Sequence, residues 1–245
     1  MLNKSLLALS LVITSQATLA DWYVQPKLGA DFRSYTLNIG ENNQEATANI
    51  PGLNVGISFI NAGGYYFDVE YSTGEGDVSD FFLEDDYIEH SEFTLSTGYS
   101  LGSGYTVFGG FTTSGTLIEN RKEQSDPITD MEFNITGFFA GMAKSFVLAK
   151  SHSINISGAL GLMAAEFNSP AGEEHNTYLF NADGDGTGFS GSASYSYRSA
   201  PMALTLGMKV QSYSYSDMVD ADTGAQYADI SEDITTAFAK ASFLF

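Results

Sequence analysis

Apolar and polar side chains alternate with a period of two along much of this chain. In the segment 202–211, every second residue from Met202 to Val210 is apolar, and the residues between them are small or polar. Segments 65–72 and 189–198 alternate in the same way. Side chains of a β-strand point to opposite faces in turn, so this pattern predicts strands with one apolar face and one small or polar face.

The alternation predicts ten strands, and the connections between them are alternately short and long. Short connections are built from Gly, Pro, Ser and Asn, whereas long links are polar. The predicted strands cover roughly 22–36, 49–61, 65–74, 88–101, 105–118, 133–148, 153–167, 187–198, 202–215 and 233–245. The short connections are 61–64, 102–104, 149–152 and 199–201, and the long links are 37–48, 75–87, 119–132, 168–186 and 216–232.

This order of connections favours a membrane barrel over a soluble β-sandwich. Transmembrane barrels have short turns at one end and long loops at the other, whereas a sandwich has no reason to collect its long loops at one end. We therefore predict an all-β fold, a closed antiparallel transmembrane β-barrel of ten strands, or of eight if two segments form hairpins above the membrane. Aromatic residues near the short connections would form its interfacial girdle: Trp22, Tyr65, Tyr99, Tyr105 and Phe245.

The first twenty residues have the three parts of a secretory signal peptide. Lys4 supplies a positive charge, residues 6–13 are apolar, and the segment 18–20 ends in the small residue Ala20. We expect cleavage after Ala20, which leaves one domain, the barrel at 21–245. An uncleaved anchor helix is the alternative, but the apolar segment is too short to span a bilayer.

The end of the chain adds a resemblance to a known class. Segment 238–245 places Phe243 and Phe245 on one face, and an aromatic residue is the last one. This resembles the C-terminal signature by which bacterial outer-membrane barrels are recognised by their assembly machinery. The resemblance implies the outer membrane of a Gram-negative cell as location, with lipid, lipopolysaccharide and the barrel assembly machinery as partners.

Composition excludes several functions. The chain has 30 acidic and 10 basic residues, a formal net charge of −20, which disfavours nucleic acid because phosphates need cations. It contains no cysteine, so neither disulfides nor thiolate metal sites stabilise it. No cofactor is predicted.

If the apolar faces meet lipid, the opposite faces line the lumen. Because a ten-stranded barrel is narrow, we expect the inward charges to pair and fill it, with carboxylates such as Glu70 and Asp68 beside the lysines. Nearly all other acidic residues fall in the long links. The predicted inward network consists of Lys27, Asp31, Arg33, Asp68, Glu70, Glu92, Lys144, Arg198, Lys209 and Lys240.

A surface hydrolase would have to use one of three histidines. A ten-stranded barrel with acidic loops resembles the omptin proteases, which use aspartates and a histidine at the outer rim. His90 is the candidate base, because a nearby carboxylate could orient it and four acids are close in sequence: Asp85, Asp86, Glu89 and Glu92. His152 lies in a short turn and His175 in a long link. Nothing else reproduces the omptin pairing, so no catalytic residue is assigned and His90 is expected to be a solvated rim residue.

Acidic segments in the long links raise the question of metal binding. Segment 181–186 places oxygen-bearing side chains like the start of a calcium loop, but it lacks the later ligands and the closing Glu. We expect a flexible, Gly-rich loop tip there and assign no metal. Asp217, Asp220 and Asp222, with the acids at 84–86, are expected to be solvated and to make the outer rim negative.

Three functions remain open from the sequence. The first is a structural or surface-interaction barrel with a side-chain-filled lumen and acidic extracellular loops, whose extracellular ligand is unknown. The second is a narrow, porin-like channel for small solutes or ions. The third is a hydrolase at the outer rim.

Overall fold

A computed structural model of the chain describes residues 22–40, 44–79, 86–120, 131–170, 178–220, 224–226 and 229–245. The predicted signal peptide at 1–20 and His175 lie outside these ranges. Ten strands form the protein: β1 (Trp22–Ile39), β2 (Gln44–Asn61), β3 (Tyr65–Ser79), β4 (Asp86–Gly102), β5 (Tyr105–Asn120), β6 (Met131–Ala149), β7 (His152–Pro170), β8 (Tyr178–Ser199), β9 (Met202–Asp220) and β10 (Ile230–Phe243).

The ten strands close into one antiparallel barrel, as predicted. Each strand pairs with its neighbours in sequence, and β1 pairs with β10 to complete the ring. The four short connections therefore lie at one end, the short-turn end, together with Trp22 and Phe245. The opposite end is called the long-loop end. No helix among the described residues is long and apolar enough to cross a membrane.

The strands are steeply inclined to the barrel axis. Following paired residues from Gly52 through β3, β4 and β5 leads to Phe133 on β6. Following them the other way, through β1, β10, β9, β8 and β7, leads to Ser145 on the same strand. Such a stagger sets the width of a closed barrel and leaves room for side chains in its lumen.

Most strands extend further toward the long-loop end than predicted. Strand β8 begins at Tyr178 instead of 187, so the segment 181–186 is paired with both neighbouring strands. The prediction of a flexible loop tip there was wrong. Asp220, expected to be solvated, is the last residue of β9 and is buried.

Along each strand, the polarity of the two faces is exchanged at one level of the barrel. In β1, the outward residues Leu28 and Phe32 are apolar and exposed, but the next outward residues, from Ser34 to Asn38, are polar. The inward residues change in the opposite sense, from Arg33 to Tyr35 and Leu37. Both ladders of β1 run through this level without a bulge. The outside is therefore suited to lipid in the short-turn half and to water in the long-loop half.

The lumen of the long-loop half is filled by an apolar core. Its members are buried, and several of the largest, including Tyr35, Ile50 and Phe133, are almost completely so. The core consists of Tyr35, Leu37, Ala46, Ala48, Ile50, Val78, Ile88, Ile118, Met131, Phe133, Ile135, Met163, Ala165, Phe167, Ala182, Tyr213, Tyr215, Met218, Ile230 and Ile234.

Candidate functional site

The lumen of the short-turn half is polar and holds a cavity of about 340 Å³. Ionised side chains of β1, β3, β4, β9 and β10 line one side of this cavity. The other side is lined by small residues, among them Ser157 on β7 and Ser190 and Ser192 on β8, together with the rings of Phe108 and Phe139. The cavity lies below the apolar core, and Met163 and Tyr213 belong to both. A polar chamber is thus closed toward the long-loop end.

Four ion pairs cross or line this chamber, and they include eight of the ten residues of the predicted network. Lys27 Nζ lies 2.5 Å from Asp68 Oδ1, and Lys240 pairs with Glu70. These two pairs join β1 and β10 to β3 across the intervening strands. The third pair, Lys209 Nζ to Glu92 Oε1 at 3.0 Å, joins β9 to β4. In these three pairs the cation neutralises a carboxylate from another part of the wall.

The fourth pair, Arg33 with Asp31, lies just below the apolar core. Arg33 Nε is 3.0 Å from Asp31 Oδ1, and the arginine is only 3% exposed. Its Nη1 also donates to the backbone oxygen of His90 at 3.4 Å. Asn54 Nδ2 donates to Asp31 Oδ2 at 3.0 Å, which completes a polar layer from three strands. A planar guanidinium suits this task because it donates in several directions at once.

Two residues of the predicted network, Lys144 and Arg198, do not take part in these ion pairs. Lys144 is on the outward face of β6, in register with Tyr105 and Ile156, contrary to the prediction. Both faces of β6 carry apolar residues here, so the alternation does not define the inward face. Arg198 is on the inward face of β8, but it is exposed at the short-turn end and has no ion-pair partner among the described residues.

We expect the Glu92–Lys209 pair to contribute strongly to stability. Replacing Glu92 by Leu would leave the lysine uncompensated in the chamber, which typically costs about 3–5 kcal/mol for a buried pair and less where water enters. The temperature at which the folded, fast-migrating gel band disappears should fall. Glu89→Leu is the matched control, since Glu89 is an exposed, outward carboxylate on the same strand. An equal change for both variants would contradict this role of the pair.

His90, the candidate base, is buried inside the barrel rather than solvated at the rim. It is 1% exposed, its Nδ1 lies 2.8 Å from Thr116 Oγ1, and its ring packs against Tyr35. Its Nε2 has no hydrogen-bond partner among the described residues. A macromolecular substrate on the outer surface therefore has no access to this ring. His152 lies at the opposite end, with Nδ1 2.5 Å from the Tyr195 hydroxyl.

One buried carboxyl in the apolar core was missed by the sequence analysis. Glu232, predicted in a long link, is completely buried on β10. Its carboxyl group has the Tyr35 hydroxyl as a polar neighbour, but neither of its oxygens makes a hydrogen bond of regular geometry in the described part of the chain, and the Tyr215 hydroxyl makes none either. Burying a carboxyl group without a regular hydrogen bond costs free energy, so we expect the burial of Glu232 to destabilise the core rather than to stabilise it.

The outer wall of the long-loop half is acidic. Its described outward residues include many carboxylates and no basic side chain, and two pairs of carboxylates face each other directly across the ladder, Glu75 with Glu89 and Glu166 with Asp183. No group of three or more His, Asp or Glu side chains in the described ranges is arranged to hold a metal ion. The acidic wall consists of Glu45, Glu75, Asp77, Glu89, Glu119, Glu132, Glu166, Asp183, Asp185 and Asp233.

Comparison with known proteins gives a class and no family. No protein-family model and no curated protein sequence matches the chain. The outer membrane protease OmpT from Escherichia coli has the same fold, with 9% identity, a TM-score of 0.57, and coverage of 93% of this chain and 98% of that one. The translocator domain of the autotransporter NalP from Neisseria meningitidis follows with 11% identity, a TM-score of 0.48, and coverage of 100% and 95%.

The likeness to OmpT shows the fold of a bacterial outer-membrane β-barrel. A third neighbour, Ail, the attachment invasion locus protein of Yersinia pestis, has 10% identity and a TM-score of 0.38 over 90% of this chain and 98% of that one. At such identities the likeness is one of fold alone. The activities of the neighbours, among them a protease and an attachment protein, do not transfer with it.

Proposed function

We propose that this bacterial outer-membrane β-barrel is closed to solutes and acts through the surface that it presents outside the membrane. The observation that carries the proposal is the apolar core in the long-loop half of the lumen. Phe133 packs edge-on against Phe167 and Tyr215, with ring centroids 5.8 and 5.4 Å away. An ion or a sugar would have to pass between buried apolar side chains, for which it would lose its hydration.

The acidic wall is the surface that we propose as the contact site. By the usual orientation of this class, the long-loop end faces the cell exterior, so the wall lies at the level of the lipopolysaccharide headgroups. Directly opposed carboxylates repel each other unless cations screen them. Divalent cations between the wall and lipopolysaccharide phosphates would relieve that repulsion. Export with cleavage after Ala20 and insertion by the barrel assembly machinery through Phe243 and Phe245 belong to the same proposal.

Two measurements on purified, refolded protein test this function. In planar bilayers and liposome-swelling assays we expect no steady conductance steps and no solute uptake above protein-free controls, because the core seals the lumen. With lipopolysaccharide vesicles we expect binding in the presence of Mg²⁺ that is lost in EDTA, because the acidic wall binds phosphates only through cations.

Each alternative function predicts a different result. Reproducible conductance levels that scale with salt would establish the narrow channel, for which the polar chamber is the supporting observation. Hydrolysis of peptide or ester substrates that is abolished by His90→Ala would establish the surface enzyme. Lipopolysaccharide binding that is unchanged in EDTA would contradict the proposed cation-mediated contact.

A further inference from the structure

Cations at the short-turn end of β6 and β7 lack the partners that the lumen cations have. Seven basic residues are described, and four of them, Lys27, Arg33, Lys209 and Lys240, are in the chamber ion pairs. Lys144, Lys150 and Arg198 have no carboxylate partner in the described part of the chain. All three lie toward the short-turn end: Lys150 in the β6–β7 turn, Arg198 near the end of β8, and Lys144 within β6, beside the β4–β5 turn.

Lys144 is held on the outer surface and points toward the edge of the barrel. Its Nζ lies 3.6 Å from the centroid of the Tyr105 ring and 5.7 Å from that of Phe146. The same Nζ donates to the backbone oxygen of Ser103 in the β4–β5 turn. A lysine on a lipid-facing strand reaches the headgroup level in this way, with its stem on apolar surface and its ammonium at the interface. The hydrogen bond to Ser103 uses one of the three N–H groups of the ammonium.

The β6–β7 turn brings further polar groups to this edge. Lys150 is exposed in the turn, and His152, which follows it, packs its ring against Tyr195 and Tyr197 of β8. The backbone N–H of Arg198 donates to Ser151 at 2.8 Å, which fixes the end of β8 beside the same turn. We call the outward group Tyr105, Lys144, Lys150, His152, Tyr195 and Tyr197 the basic rim.

The surroundings of the basic rim select the chemistry of a partner. No described acidic side chain lies on the outer surface of the short-turn half, whereas the acidic wall occupies the other half. Between Lys144 and Lys150 the outer surface of β6 is apolar and exposed, with Phe146 and Leu148, and Ile156 beside Lys144 continues this surface on β7. An anion with acyl chains fits both features, and tyrosines at the membrane interface contact its glycerol region.

We propose that the basic rim binds the headgroup of an anionic phospholipid in the periplasmic leaflet. The phosphate lies beside the Lys144 ammonium, Lys150 adds positive charge at the β6–β7 turn, and the acyl chains lie along β6 and β7. The site is separate from the acidic wall and does not depend on a closed lumen. The protein then binds anionic groups at the periplasmic interface and cations at the outer one.

The test uses refolded full-length protein in a mild detergent, titrated with phosphatidylglycerol or phosphatidylethanolamine and read by native mass spectrometry. We expect phosphatidylglycerol to bind more tightly, and Lys144→Gln and Lys150→Gln each to weaken it about fivefold, the effect typical of one basic residue at a membrane surface. Lys144→Arg should retain the binding. The control Thr136→Asp/Ser212→Asp changes the net charge equally at the opposite half and should bind as the wild type does.

Three results would overturn the site. The first is equal binding of the two lipids by the wild type. The second is unchanged phosphatidylglycerol binding by the double glutamine variant, whose folding is checked by its heat-dependent gel shift. The third is complete competition by glycerol phosphate, which would assign the rim to a soluble anion. If the double variant does not fold, each single variant and the salt dependence of wild-type binding decide the question.

Discussion

An arginine in place of Leu206 should prevent stable insertion of the barrel. Leu206 is 59% exposed on the lipid-facing side of β9, in register with Tyr195 and Ala239 on the flanking strands. Arginine near the bilayer midplane of such a barrel costs about 2–4 kcal/mol. We expect the folded gel band of Leu206→Arg to be lost, or its melting to occur at a markedly lower temperature, after refolding into liposomes.

Two controls on the same strand make this test specific. Ser212→Arg lies on the same face beyond the level where polarity is exchanged, so it should fold like the wild type because its side chain meets water. Thr205→Arg faces the chamber and should be tolerated better than Leu206→Arg, although Lys240 is in register with it. Equal loss for Leu206→Arg and Ser212→Arg would show that the lipid boundary lies nearer the long-loop end than we infer.

Truncation of Phe133 should produce the second large effect. This ring is 1% exposed at the centre of the apolar core, so Phe133→Ala would remove its transfer free energy and leave a cavity, typically worth about 3–5 kcal/mol. We expect a large fall in the free energy of unfolding, measured by urea titration in liposomes. Conductance of the folded variant shows in addition whether the core seals the lumen.

Phe138→Ala is the matched control for that variant. Phe138 is on the same strand but is 69% exposed toward lipid, so its truncation should destabilise the barrel much less. If the two variants were equally stable, the long-loop half would not depend on a packed interior. Its wall would then be held by the strand ladder alone.

The class of fold could be predicted from the sequence because the lipid-facing alternation is strong and continuous. Leu204, Leu206, Met208 and Val210 are exposed on the outer surface as expected, and so are Leu53 and Val55. Alternation of connection lengths also predicted the strand number correctly. Both signals are local, and the membrane imposes them on every strand in the same way.

The long-loop half could not be predicted because its alternation has the opposite phase. In β6 the apolar positions are even from Phe138 to Met142 but odd from Met131 to Ile135. A search for one continuous lipid-facing pattern weakens at that change, so core residues further along, such as Leu37, Ala46 and Met131, are assigned to polar links. The residues of the acidic wall point outward from paired strands, whereas Asp220 and Glu232 are buried. The phase change itself is a signal in the sequence that would have revealed the core.

Only part of the polar chamber could be predicted from the sequence. Alternation gives the face of a residue but not the partner across the lumen, which depends on barrel stagger. The Lys209–Glu92 pair joins strands that are far apart in the ring and could not be derived from either strand alone. Lys144 illustrates the other limit, since a strand with two apolar faces carries no information on which face is inside.

The exchange of polarity along the strands also determines how the barrel sits in its bilayer. If the barrel shifted toward the cell exterior by the length of two strand residues, leucines such as Leu206 would leave the lipid. A shift toward the periplasm would carry the acidic wall into the hydrocarbon. Both displacements are costly around the whole circumference at once, and tilting imposes both costs on opposite sides. The protein is therefore held at one height and upright, which keeps the acidic wall at a constant distance above the lipid.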